Sequence, residues 1–122
     1  MKFGPPTPAL RIFDETVARE FYIDYLGFEV DWEHRFAPDM PIYMQVRRGE
    51  CRIQLSGHYG DCCPGASLRI EVGNIDEYQA DLLAKAHKHS RPGIESQPWG
   101  SRDMVVLDPF GNRLTFWQST NA

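Results

Sequence analysis

The chain has 122 residues, 42% of them hydrophobic and 25% charged, an ordinary balance for one globular domain with a core of its own. A formal charge of −4 with no block of like charges argues against nucleic acid as the main partner, and no apolar run approaches the roughly 20 residues that cross a bilayer. The opening "MKFGPPTPAL" lacks the apolar stretch of a signal peptide, and three cysteines without framework spacing suit a reducing compartment. The expectation is a cytoplasmic protein whose partner is a small ligand or another protein.

In chain order, "TPALRIF" alternates as a strand does, and Asp14 then opens "DETVAREFYIDYLGF". There Val17, Ala18, Phe21, Tyr22 and Tyr25 recur at helical spacing, and Gly27 ends the run as a C-terminal glycine would. "RRGECRIQL" reads as a glycine turn leading into a strand, and "GHYGDCCPG", with three glycines and a proline, reads as a connection. A second strand, "ASLRIEV", precedes the capping pair Asn74 and Glu77 and a second helix, "DEYQADLLAKAHKH", with Tyr78, Leu82 and Ala86 on one face. His87 and His89 are two apart and share no face, so they read as solvated cations at the helix C-terminus. "PFGNRLTFW" closes the chain as another glycine turn and alternating strand.

Asp14 and Asp76 are 62 positions apart, as are Gly49 and Gly111, which suggests a duplicated strand-helix-strand-strand-strand unit. Module one spans about 6–57 and module two about 65–118, within a single domain of residues 1–122. The fold class expected is α+β, two βαβββ modules whose mixed sheets curve around a cleft. Strand alternation places Leu10, Ile12, Ile53, Leu55, Leu68, Ile70, Val72, Leu114 and Phe116 under the helices. The opposite faces then carry Arg11, Arg52, Gln54, Arg69, Glu71, Arg113 and Thr115. Such a face is either an ordinary solvated sheet surface or the lining of a cleft for a polar ligand.

The paired modules, with "FYIDYLGF" closing the first helix, "QPWG" in the second half and "LDPFGNRLTF" near the end, resemble the vicinal oxygen chelate superfamily. Glyoxalases, bleomycin-resistance proteins and extradiol dioxygenases belong to it. The match runs from about Pro8 to Gln118, and "SQPWGSRDMVVLDPFGNRLTF" looks most like the bleomycin-resistance proteins, which bind the drug without turning it over. Enzymes of the superfamily hold a metal through His, Gln and Glu, and the resemblance carries those positions onto Thr7, Ser67 and Thr115, with Gln54 at the equivalent place in module one. Hydroxyls are poor donors for a divalent ion, so neither a metal nor any other cofactor is expected.

The resemblance also implies a ligand crevice at a homodimer interface, lined by Asp31, Trp32, Phe36, Trp99 and Gly100. Where resistance proteins offer aromatics, this chain has Gln54 and Arg69, so its pocket should be more polar; Arg11, Arg69 and Arg113 favour a carboxylate, phosphate or carbonyl-rich ligand. Glu71 joins the candidate ligand-binding set, either facing the ligand or neutralising Arg69 across the sheet. The leading function is sequestration of a bleomycin-type glycopeptide or related small molecule. The alternatives are a lyase or dioxygenase-like enzyme of the same fold, with a metal held at unexpected positions or with Glu71 or His58 as a metal-free base, and a dimeric structural module. For "GHYGDCCPG" three readings stand: a metal site, a reactive thiol and a structured turn.

Overall fold

Residues 1–120 are described by the structure, a computed structural model, and the chain divides between Pro64 and Gly65 into two units. The first contains β1 (Ala9–Arg11), α1 (Glu15–Arg19) running into a wider π-helical turn (Glu20–Tyr25), β2 (Glu29–His34), β3 (Tyr43–Arg48) and β4 (Cys51–Ser56). The second contains β5 (Ser67–Glu71), α2 (Ile75–Ala84), β6 (Ile94–Gln97), β7 (Ser101–Leu107) and β8 (Arg113–Ser119). Each forms one four-stranded mixed sheet, ordered β1-β4-β3-β2 and β5-β8-β7-β6, with the first and last strands of the unit parallel and the other pairs antiparallel. This is the α+β fold of two βαβββ modules. Among the described residues no helix is long and apolar enough to cross a membrane.

Each helix begins where a side chain can satisfy an orphan backbone N–H. Asp14 Oδ1 accepts from Val17 N at 3.0 Å, and Asn74 Oδ1 accepts from Glu77 N at 3.1 Å while its Nδ2 donates to the Glu77 carboxylate. The first helix widens before it ends, with Leu26 N donating to Phe21 O five residues back. Ala18, Phe21, Tyr22, Tyr25 and Leu26 are buried, and Val17 lies at the edge of the stripe. Gly27 takes φ +83°, and a β-carbon there would run into the guanidinium of Arg48, whose Nη1 caps the Leu26 carbonyl at 2.7 Å.

The second helix is shorter than its sequence pattern suggests. It stops at Ala84, and Ala86, expected on the buried face, is exposed with a left-handed φ of +51°. His87 and His89 therefore lie in the loop beyond the helix end, where the His89 N–H donates to His87 Nδ1.

The cores follow the strand alternation. Leu10, Ile12, Ile53, Leu55, Met44 and Val46 are buried in the first unit. Ile70, Leu114, Phe116, Met104 and Val106 are buried in the second, where Tyr78 of α2 meets Phe116 edge-on at 5.0 Å. Leu68 and Val72 depart by being only partly buried, since they lie near the start and just past the end of the edge strand β5.

The repeat does not have the uniform spacing of 62. Cross-strand register pairs Met44 with Leu55 and Val46 with Ile53 in one sheet, and Met104 with Phe116 and Val106 with Leu114 in the other. Positions of β3 and β7 thus match at 60, as do the caps Asp14 and Asn74, whereas those of β4 and β8 match at 61. The additional residue lies in the β7–β8 turn, where buried Asp108 accepts from the N–H groups of Phe110 and Asn112 and from Asn112 Nδ2, all at 2.8 Å. Asn112 Oδ1 also accepts from Ala66 N at 3.1 Å. The segment "LDPFGNRLTF" is therefore a self-bonded turn and the inner strand it launches.

Candidate functional site

On the face of the first sheet turned away from its helix, one strand irregularity decides what stands together. The β2–β3 register shifts between Val30 and Trp32, so Asp31 is the additional residue of a bulge. Strict alternation would separate Asp31 from Trp32. With the bulge, both engage the side of β3 that carries Tyr43, Gln45 and Arg47. The indole of Trp32 stacks on Tyr43 at 5.7 Å and 14°, and Asp31 accepts from Gln45 Nε2 at 2.9 Å and from Arg47 Nε at 2.8 Å. Gln54 on β4 completes a relay: Tyr43 Oη donates to Gln54 Oε1, and Gln54 Nε2 donates to Gln45 Oε1 at 3.0 Å. The hydrogen bond from Gln45, then that from Arg47 and the charges of Arg47 and Arg52, hold the Asp31 carboxyl below its ordinary value.

Trp32 keeps 41% of its surface exposed, so the stacked pair offers an open aromatic plane bordered by polar groups. Phe36, in the loop after β2, stands apart from that stack. Its ring lies edge-on to His34 at 4.4 Å and to His58 at 5.3 Å. The structure thus joins Asp31, Trp32 and Gln54 through Tyr43 and Gln45, and places Phe36 with two imidazoles.

The corresponding face of the second sheet is organised by an ion pair. Arg69 Nη1 and Nη2 donate to Asp103 Oδ2 and Oδ1 at 2.9 and 3.2 Å, and Ser101 Oγ donates to Asp103 Oδ1 at 2.6 Å. The Arg69 guanidinium lies over the Trp117 ring at 5.5 Å. The hydrogen bond from Arg69, then that from Ser101, lowers the Asp103 carboxyl and outweighs its burial. The partner of Arg69 is thus Asp103, not Glu71; Glu71 sits beyond Arg69 at the exposed end of β5, opposite Trp117. Thr115 does face away from Leu114 and Phe116, but it is buried, because it lies on an inner strand between Arg69 and Val105. Trp99 and Gly100 belong to the β6–β7 hairpin turn, which closes through Gly100 N and Gln97 O at 3.1 Å, with Gly100 at φ +94° and the Trp99 side chain largely exposed.

Tyr43, Gln45, Arg47, Ser101, Asp103 and Trp117 were not legible as site residues from motifs. The signal was available in the alternation of "YMQVRR", "SRDMVVL" and "RLTFWQS", where Met44, Val46, Met104, Val106, Leu114 and Phe116 mark the buried side and leave these residues on the other.

The donor set does not fit a divalent cation. The positions carried over from the enzymes hold Thr7, Ser67, Thr115 and Gln54, and among the described residues no three of His, Cys, Asp and Glu form a group that could hold a metal ion. In "GHYGDCCPG", Ser56 Oγ donates to Asp61 at 2.6 Å and accepts from His58 N at 3.1 Å, so Asp61 builds the turn. Burial, followed by the negative charge of Asp61, pushes the Cys62 thiol up, opposite to what a reactive thiolate requires. The structured turn is the reading that the geometry favours.

A family model described as glyoxalase superfamily protein matches residues 1–122. The chain is 31% identical over 127 residues to a bleomycin resistance protein of Geobacillus stearothermophilus, covering 94% of this chain and 96% of that one. Among solved structures it is similar to a bleomycin-binding protein from bleomycin-producing Streptomyces verticillus complexed with copper(II)-bleomycin, at 28% identity and a TM-score of 0.71, covering 95% and 96% of the two chains. A member of the glyoxalase/bleomycin resistance protein/dioxygenase superfamily from Sphaerobacter thermophilus, 21% identical with a TM-score of 0.70 over 94% and 97% of the chains, shares the fold.

Proposed function

The chain belongs to the glyoxalase superfamily, and on that premise we propose that it is a small-ligand binding protein of the bleomycin-resistance type, acting by stoichiometric sequestration. The observation that carries this reading is the Trp32–Tyr43 stack beside the hydrogen-bonded Asp31, an aromatic plane with fixed polar groups, on a chain whose relatives include bleomycin resistance proteins. Planar heterocycles bind such a plane with little ordering cost, and the hydroxyl-rich donor set supports binding over metal-assisted turnover.

The proposed ligand-binding residues are Asp31, Trp32, Phe36 and Gln54 of module one and Arg69, Glu71, Trp99 and Gly100 of module two. The proposed working form is a cytoplasmic homodimer. The unpaired thiols of Cys51, Cys62 and Cys63 support a reducing compartment, and each sheet has edge strands, β1 and β2 or β5 and β6, that a twofold partner can protect. The modules act together as one domain in this proposal.

Titration with a bleomycin-type glycopeptide, followed by calorimetry and tryptophan fluorescence, tests the reading. Saturable binding is expected, weakened by about 1–3 kcal/mol in Trp99→Ala, the usual range for an aromatic anchor. No heat and no fluorescence change at submillimolar drug removes the assignment. About one zinc, iron or manganese per purified chain would instead favour an enzyme.

A further inference from the structure

We propose that the Arg69 guanidinium is a docking point for a planar, uncharged carbonyl-bearing group such as a carboxamide, and that Asp103 sets its preference for neutral acceptors over anions. This deepens the binding function proposed above by naming the ligand chemistry of one part of that site.

The ion pair has a dry side and a wet side. The Asp103 side chain is 6% exposed and that of Arg69 44% exposed. The hydrogen bonds of Arg69 to Asp103 leave through Nη1 and Nη2 toward the carboxylate, which Ser101 holds from another direction. A guanidinium has five N–H groups, so three remain, on Nε, Nη1 and Nη2, with no protein partner among the described residues. Trp117 lies beneath the guanidinium, and much of the remaining surface is open to solvent. A planar group can therefore stack on the guanidinium or accept from its outer N–H edge.

Pre-organisation lowers the cost of using this group. A free arginine side chain loses rotamer entropy when it binds, whereas Arg69 is already held in a fork by Asp103 and by the indole. The charge on the same fork is largely cancelled, because Asp103 is bonded to it at both oxygens. A carboxylate or phosphate arriving at Arg69 meets the field of Asp103 as well and gains little net attraction. A neutral carbonyl still gains a charge-assisted hydrogen bond from the guanidinium without that repulsion. Glu71, exposed beside Arg69 on the same face of β5, works in the same direction against anions.

Benzamide and benzoate share a ring and differ in this one respect. Their titration into 15N-labelled protein, read at the Arg69 Nε–H and Trp117 indole N–H resonances, tests the proposal. Benzamide should move both resonances at about 10 mM, a range suited to a fragment with few contacts, and should bind about threefold or more tighter than benzoate. Asp103→Asn should reverse the order and tighten benzoate about tenfold by removing the competing charge. Arg69→Gln, which leaves no bare cation behind, should abolish the benzamide shift at Trp117 and keeps the test open if the Asn variant does not fold. A wild-type preference for benzoate, unmoved Arg69 and Trp117 resonances, or an unchanged Trp117 response in Arg69→Gln each overturns the proposal. Glycopeptide binding unaffected by Arg69→Gln defeats this inference alone. Benzamide shifts without glycopeptide binding defeat the antibiotic reading alone.

Discussion

At matched positions of β3 and β7 the side chains on the buried side are the same, Met44 with Met104 and Val46 with Val106. On the opposite side Tyr43, Gln45 and Arg47 are replaced by Asp103, Val105 and Leu107. The strands around them change to suit. Gln54 in β4 matches Thr115 in β8, and Ala9 in β1 matches Arg69 in β5. One face thus carries a relay of neutral polar groups ending on a carboxylate at an edge strand that Arg47 also pairs. The other carries a charge pair whose carboxylate lies on an inner strand under longer side chains. A duplicated framework tolerates this because packing constrains only one side of each strand.

The comparison breaks first if the interiors are not equivalent. Ile53→Ala and Leu114→Ala, at matched and fully buried positions, should each cost about 2–5 kcal/mol in chemical denaturation. A difference between them larger than that range would show that the modules do not share one core design. The opposite faces should then diverge. Asp103→Ala leaves Arg69 and Ser101 without their acceptor in a poorly hydrated spot and should cost about 1–3 kcal/mol, discounted for the exposure of Arg69. Asp31→Ala, on the exposed edge, should cost distinctly less in the same assay.

Acid titration sharpens the point. The Asp103 carboxyl is lower in the folded protein than its ordinary value of 3.8, chiefly through its hydrogen bonds from Arg69. Its stabilisation is therefore complete above that value and lost as the pH falls through the lower folded one. Stability measured below about pH 4 should fall less steeply in Asp103→Asn than in the wild type, and an identical slope would mean that the pair contributes no pH dependence. The smallest effect concerns ligand. Asp31→Asn should weaken binding of a cationic glycopeptide only modestly, since Gln45 and Arg47 already engage the carboxylate, and raising the salt should shrink the difference further.

Much of the framework was legible in the sequence because period-two alternation and capping residues act locally. Leu10, Ile53, Leu55, Leu114 and Phe116 needed only their neighbours to be placed, and Asn74 with Glu77 announced α2. The spacing of the repeat was misread because Asp76, inside α2, was matched to the cap Asp14, and because the longer β7–β8 turn shifts Gly111. The faces were less legible. The bulge at Asp31 alters which side a residue occupies, and alternation has no means to signal it in advance. The sequence offered Glu71, on the same strand, as one possible partner of Arg69, whereas the bond runs two strands away to Asp103. Side-chain pairing across strands depends on register, and register is a property of the assembled sheet.

The parallel pairing of β1 with β4, and of β5 with β8, also bears on the order in which the protein can be made. The opening strand of each module must wait for the closing strand, which then sits between it and the middle of the sheet. As the chain leaves the ribosome, module one can complete its sheet once Ser56 is out, with all of module two still to be synthesised. A message cut short before Arg113 yields a second half in which β5 has lost its neighbour and β7 has an open edge, while the first half has every strand it pairs with. Limited proteolysis of such a fragment should spare residues before Pro64 and digest those after it, exposing two folding episodes within one translation.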